Sequence, residues 1–258
     1  MQYGICAGAE TAAAAKDSGY DYLEAAVGAM LCPEDPEAEF ARRRQLFAES
    51  GLPVPVCNLF LPGDMAVVGP GQNPARQANF LDHVFARAQR AGVAIIVFGG
   101  GRQRSIPKDY PPEDGYRDLL DFAARAAARA AAHGVTLAME PLNRAETNLL
   151  ASVAETAAFV DSANHPALRM IVDAFHWARE GETEDDLARA GKRIVHAHIG
   201  TRANRLAPGI EPCAELETFF RGLRRAGYDG RVSVEAQIGD PALELPKALA
   251  ALRRLAAP

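Results

Sequence analysis

The chain lacks any apolar run approaching the roughly 18 residues that a membrane-spanning helix needs, so no passage through a bilayer is expected. It also lacks paired cysteines. Cys6, Cys32, Cys57 and Cys213 are far apart and form no C-x-x-C, which argues against a zinc ribbon and against a dense disulfide framework. They read as reduced thiols of a cytoplasmic protein. The opening M-Q-Y-G-I-C-A-G has no basic segment leading into an apolar one, and export is not expected. No basic stripe is present either: the formal charge is −5, with acids and bases interspersed. A nucleic-acid partner would need such a stripe, and none is expected. Neither a linker nor a charge block divides the sequence, so one domain over residues 1–258 is predicted.

What is there is alternation. The chain is 258 residues long and 48% hydrophobic, enough to bury about 70–75% of its unfolded surface without staples. Short apolar or β-branched runs recur, each followed by a longer stretch of helical periodicity, the pattern of repeated βα units around a parallel sheet. Eight strands are predicted: Gln2–Cys6, Tyr20–Val27, Val54–Leu61, Val93–Gly99, Thr136–Leu142, Arg169–His176, Ile194–Ile199 and Arg231–Gln237. Eight units of this length suit a (β/α)8 TIM barrel.

Local signals agree with that phase. Gly19, Gly51, Gly92, Gly134 and Gly227 each fall between a helical stretch and the next strand, where a left-handed C-cap is wanted. Ser152 with Glu155, and Thr183 with Asp186, have the spacing of capping boxes at helix starts. The alanine-rich run Ala123–Ala132, with Arg125 and Arg129 four apart, reads as an outer helix turning a small-residue face to the barrel.

In a parallel barrel the chemistry gathers at the C-terminal strand ends. Glu140, Asp173, His198 and Glu235 lie at the ends of the last four predicted strands, each interrupting an apolar run. An unpaired charge there would cost several kcal/mol in desolvation, roughly, so something must compensate. Three carboxylates and an imidazole converging on one barrel mouth make a hard, oxygen-rich site that suits Mn²⁺ or Mg²⁺ better than a thiolate-seeking metal.

The segments E-P-L-N-R-A-E-T-N, V-D-A-F-H, H-A-H-I-G with N-R-L-A-P-G, and G-Y-D-G-R-V-S-V-E-A carry a resemblance over nearly the whole chain. It resembles the xylose isomerase-like TIM-barrel superfamily, most of all its D-tagatose/D-psicose 3-epimerase branch. That resemblance implies an isomerase acting on a small sugar, with Glu140, Asp173, His198 and Glu235 holding one divalent metal, Mn²⁺ foremost and Mg²⁺ or Co²⁺ as alternatives. It implies that Glu140 and Glu235 double as the acid/base pair, passing a proton through a cis-enediolate at C3 of a ketose. Glu146, His176 and Arg205 match the positions that hold the substrate. A homodimer or homotetramer is the assembly such barrels adopt.

Two stretches depart from that branch. Thr201 and Arg202 follow Gly200 where an acidic residue is usual, and W-A-R-E-G-E follows His176. Hydroxypyruvate isomerases and inosose dehydratases therefore stay as alternative readings, since they share much of the site. An AP endonuclease of the endonuclease IV kind would need more histidines than His176 and His198 at the strand ends, and a sugar-binding barrel without turnover would not need two acid/base carboxylates.

Other residues have structural readings. The Gly99–Arg104 run reads as a pocket loop. Glu24 is expected to reach the substrate or to pair with an arginine inside the mouth. His196 should face the barrel one layer below His198, while His83, His133 and His165 are expected to be exposed.

Overall fold

Eight short strands pair in parallel and in sequence order: β1 (Gln2–Cys6), β2 (Tyr22–Ala26), β3 (Val56–Asn58), β4 (Ile95–Phe98), β5 (Thr136–Met139), β6 (Leu168–Asp173), β7 (Ile194–Ile199) and β8 (Arg231–Val234). β8 pairs with β1 and closes the barrel. In this computed structural model, which describes residues 1–257, an outer helix follows each strand, from Ala12–Ser18 after β1 to Pro241–Ala256 after β8. The architecture is the (β/α)8 barrel that the alternation predicts.

The strands are apolar on both faces because both are covered. On β4, Ile95 and Val97 point inward and pack with Tyr22, Val56, Ala138 and Ile171. Ile96 and Phe98 point outward into the larger core beneath the helices. Ala123, Ala126, Ala127 and Ala130 form the buried face of the helix Pro112–Ala132, so the alanine-rich run does turn its small residues to the barrel. At the barrel floor Gly4 leaves room for a ring: a Cβ there would lie 2.2 Å from the Tyr22 side chain.

Pairing between β6 and β7 shifts at Met170/Ile171, so that Met170 pairs with Ile194 but Ile171 pairs with His196 and Asp173 with His198. A bulge of this kind re-aims side chains. Here it sets His196 and His198 level with Ile171 and Asp173.

Several strands are shorter than predicted. β3 stops at Asn58 rather than Leu61, and β6 stops at Asp173, with His176 on the short helix Ala174–Arg179. The reason is local: Asp173 Oδ1 accepts from the backbone N–H of Phe175 (2.6 Å) and His176 (3.4 Å), capping a helix where apolar composition suggested more strand. Gly19 and Gly92 are left-handed helix C-caps as expected. Thr183 and Asp186 form the predicted box, the Thr183 N–H donating to Asp186 Oδ2 at 2.7 Å. At Ser152 only half of the box forms as drawn: Ser152 Oγ accepts from the Glu155 N–H, but Glu155 reaches back to Ala151 N–H.

Candidate active site

Glu140 and Glu235 each sit one residue past a strand, yet their backbones stay in the ladder. The Glu140 N–H donates to Phe98 O at 3.2 Å and the Glu235 N–H to Ile199 O at 2.9 Å. Asp173 ends β6 and His198 lies near the end of β7. One ligand atom from each of these four side chains falls within 4.8 Å of all the others. The sequence-derived quartet therefore converges.

Their electrostatics ask for a cation. Glu140, Asp173 and His198 are buried and Glu235 is largely so. Glu140 Oε1 and His198 Nδ1 are buried without a hydrogen-bond partner. His198 Nδ1 lies 3.5 Å from Glu140 Oε1 and 3.0 Å from Glu235 Oε2. Burial pushes the Asp173 carboxyl up to about 6, with His176 opposing and Glu235 and Glu140 reinforcing the rise. Burial would raise Glu235 as well, but His198 and Arg205 outweigh it and hold that carboxyl down at about 2. Three oxygen donors and one nitrogen donor, two of them with orphaned atoms, fit a divalent metal such as Mn²⁺ or Mg²⁺.

Arg205 joins the cluster from the loop after β7. Its Nη2 donates to Glu235 Oε2 at 2.7 Å and lies 3.4 Å from Asp173 Oδ2, with the guanidinium 4.7 Å over the Phe175 ring. Its backbone is left-handed, at φ +52°. Such a conformation is costly for a residue with a Cβ, and the surroundings enforce it. Arg205 N–H donates to Thr201 O (3.0 Å), and Gln237 N–H donates to Arg205 O (2.8 Å). Thr201, in the stretch after Gly200 that departs from the resembled branch, is itself buried and donates through Oγ1 to Glu211, whose other oxygen accepts from Asn204 Nδ2. A carboxylate from farther along the same loop thus braces this turn.

His176 is buried beside the site rather than packed with its neighbour Trp177, which turns outward onto Phe219. The His176 Nδ1 accepts from Asn143 N–H (3.2 Å) and from Asn143 Nδ2 (2.8 Å). Its Nε2 lies 3.9 Å from Asp173 Oδ2. Glu146 stands at the exposed rim, accepting from Asn143 Nδ2 at 2.8 Å. Asn143 therefore ties Glu146 and His176 together, a link the sequence reading missed although it lies inside the E-P-L-N-R segment.

The loop after β4 folds into the short helix Gly101–Arg104 and packs under Glu140. Arg104 is buried, donates through Nη2 to Glu140 O at 2.7 Å, and is pushed down to about 10 by burial. Glu24 pairs with no arginine, contrary to expectation. It is buried, with His196 Nε2 and His198 Nε2 each 2.7 Å from its two oxygens. An acid interrupting an apolar strand was visible in Y-L-E-A-A, but its histidine partners lie more than 170 residues away. His83 is exposed as expected, whereas His133 and His165 are half-buried: His133 Nδ1 lies 3.0 Å from Gln89 Oε1, and His165 Nδ1 accepts from Ala167 N–H.

Comparison with known proteins agrees with this architecture. A family model described as "Xylose isomerase-like TIM barrel" matches residues 12–255. An L-ribulose 3-epimerase of Methylomonas sp. is 27% identical over 250 residues, covering 92% of this chain and 82% of that protein. A D-psicose 3-epimerase of Agrobacterium fabrum is 36% identical over 242 residues, covering 84% and 75% respectively. A putative hydroxypyruvate isomerase of Streptomyces coelicolor is 27% identical over 244 residues, covering 90% and 86%. Among solved structures, an L-ribulose 3-epimerase superposes with a TM-score of 0.83 at 23% identity, covering 99% of this chain and 95% of that one, a likeness of fold.

Proposed function

Because the chain belongs to the xylose isomerase-like TIM barrel family, we propose that it is a metal-dependent isomerase that epimerises a small ketose at C3. The observation that carries this reading is the pairing of two carboxylates, Glu140 and Glu235, from the ends of β5 and β8 within one cluster that also holds Asp173, His198 and Arg205. The named 3-epimerases among its relatives support the substrate class.

Glu140, Asp173, His198 and Glu235 would hold a divalent ion, Mn²⁺ foremost, which when bound supplies Lewis acidity toward a carbonyl and its neighbouring hydroxyl. Glu235, kept ionised by His198 and Arg205, is prepared to take the C3 proton. Glu140, reaching in from another strand, returns a proton to the opposite face of the resulting enediolate. In the reverse direction the two exchange roles. The Arg205 guanidinium would balance negative charge that develops on the carbonyl end, a role supported by its contact with Glu235, which would also orient the base. His176 and Glu146, joined through Asn143, would hold substrate hydroxyls at the rim. The free cysteines accord with a reducing, cytoplasmic setting, and a homodimer or homotetramer is the assembly proposed.

The test is turnover of ketoses in D₂O with added Mn²⁺. Deuterium should appear on the carbon whose configuration changes; product formed without solvent label would overturn the proton-transfer reading. A second reading, isomerisation of hydroxypyruvate, is favoured by the Streptomyces relative. It predicts label on the neighbouring carbon when hydroxypyruvate is the substrate.

A further inference from the structure

His198 has two ring nitrogens, and only one of them faces the quartet. Nδ1 points toward Glu140 and Glu235, whereas Nε2 lies 2.7 Å from Glu24 Oε1. Glu24 is wholly buried, and nothing in the acid/base scheme uses it. Its two oxygens are met by two imidazole nitrogens and one hydroxyl, so a carboxylate at this place has a donor for each contact. An ionised carboxylate only accepts hydrogen bonds. His198 Nε2–H therefore donates to Oε1, and His196 Nε2–H (2.7 Å) and Ser233 Oγ–H (2.6 Å) donate to Oε2. Ser233, having given its proton, accepts from Tyr22 OH at 2.9 Å.

The donors come from β7 and β8 and the acceptor from β2, so the chain of bonds crosses the interior of the barrel beneath the site. With three donors directed at it, Glu24 holds a His198 hydrogen on Nε2, so Nδ1 is the nitrogen left to face a ligand. A ligating imidazole whose other N–H is held by a carboxylate is both oriented and more basic toward the ion.

We propose that Glu24 is a positioning residue: through His198 Nε2–H it fixes the tautomer and ring orientation that present Nδ1 to a divalent metal, with His196, Ser233 and Tyr22 bracing it from below. This rests on the metal-site reading given above. Cys6 Sγ lies 4.0 Å from the same Nε2, and Cys6, Glu24 and His198 could themselves group around an ion. In that competing arrangement the chain would bind two ions, with Nε2 a ligand and not a donor.

The experiment titrates Mn²⁺ into the metal-free full-length protein by calorimetry, for wild type, Glu24→Gln and Ser233→Ala. The isosteric Glu24→Gln should weaken Mn²⁺ by about 10–100-fold, and Ser233→Ala, which removes one of three donors, by roughly 2–10-fold. Melting of the metal-free proteins should change little beside these losses. In the Mg²⁺-loaded wild type, long-range ¹H–¹⁵N spectra should show His198 as the Nε2–H tautomer, and Glu24→Gln should erode that signature. Wild-type affinity in both variants, or two ions bound per chain, overturns the role of Glu24 while leaving the quartet intact. A wild type that binds no Mn²⁺ overturns the metal site and this role together. Should Glu24→Gln fail to fold, Ser233→Ala decides, and an unchanged affinity there refutes the role.

Discussion

A Cβ on Gly99 would lie 1.8 Å from Glu140 Oε2, so the residue that ends the fourth strand's loop entry is what lets the fifth strand's glutamate reach the cluster. Arg104 holds the Glu140 backbone from behind at its carbonyl.

Gly99→Ala is accordingly expected to displace the Glu140 carboxylate and lower kcat on the order of 10²-fold, the scale of an ångström-level misplacement. Steady-state kinetics on the best ketose would check it. An alanine variant with wild-type turnover would mean that Oε2 is not a reacting or ligating atom.

Glu140→Gln and Glu235→Gln should each cost on the order of 10²–10⁴-fold in rate if only proton transfer is lost, and more if the metal leaves too. Because each glutamate serves one face, one variant is expected to exchange a proton from one epimer without completing the reaction. Solvent-exchange NMR on each epimer separately would reveal this. Near-normal turnover in Glu235→Gln would remove the two-carboxylate scheme.

Chelation should abolish turnover, and Mn²⁺, Co²⁺ or Mg²⁺ should restore it. Metal at about 100 times its Kd should add ~2.7 kcal/mol of stability, since it binds only the folded state. Thermal melts with and without Mn²⁺ measure this directly, and identical curves would count against the site.

Arg205→Ala and Glu146→Gln should differ in kind. Glu146 is at the rim, so its loss should raise KM with the bound ion retained. Arg205 touches both Glu235 and Asp173, so its loss should reduce kcat/KM on the order of 10–100-fold or more, as truncating a desolvated charge pair does. Metal content measured alongside kinetics separates the two. An empty metal site in Glu146→Gln would reverse these roles.

Glu182 offers a stability test away from the chemistry. Burial pushes its carboxyl from 4.5 up to about 7, although it accepts from Val153 N–H at 2.9 Å. A raised carboxyl binds its proton more tightly when folded, so its contribution is present at low pH and is lost as pH rises from about 4.5 through about 7. Glu182→Gln should therefore melt increasingly above the wild type as pH climbs through that window. Parallel melting curves from pH 5 to about 8 would refute the shift.

The sequence by itself determined the alternation of strands and helices, and with it the barrel, because short strands buried on both faces leave uninterrupted apolar runs that helical periodicity then separates. It singled out the quartet proposed as metal ligands because Glu140, Asp173, His198 and Glu235 stand where charge interrupts such runs. Only the tertiary structure decided what lies behind and around them. Closure of the barrel brings Glu24 of β2 to His196 and His198 of β7, and the register shift between β6 and β7 sets His198 level with Asp173. The left-handed turn at Arg205, braced by Thr201 and Glu211, and the approach of Glu140 to Gly99 likewise depend on loops meeting across the mouth. Local propensity records none of these encounters, since each joins residues whose separation along the chain carries no periodic signal.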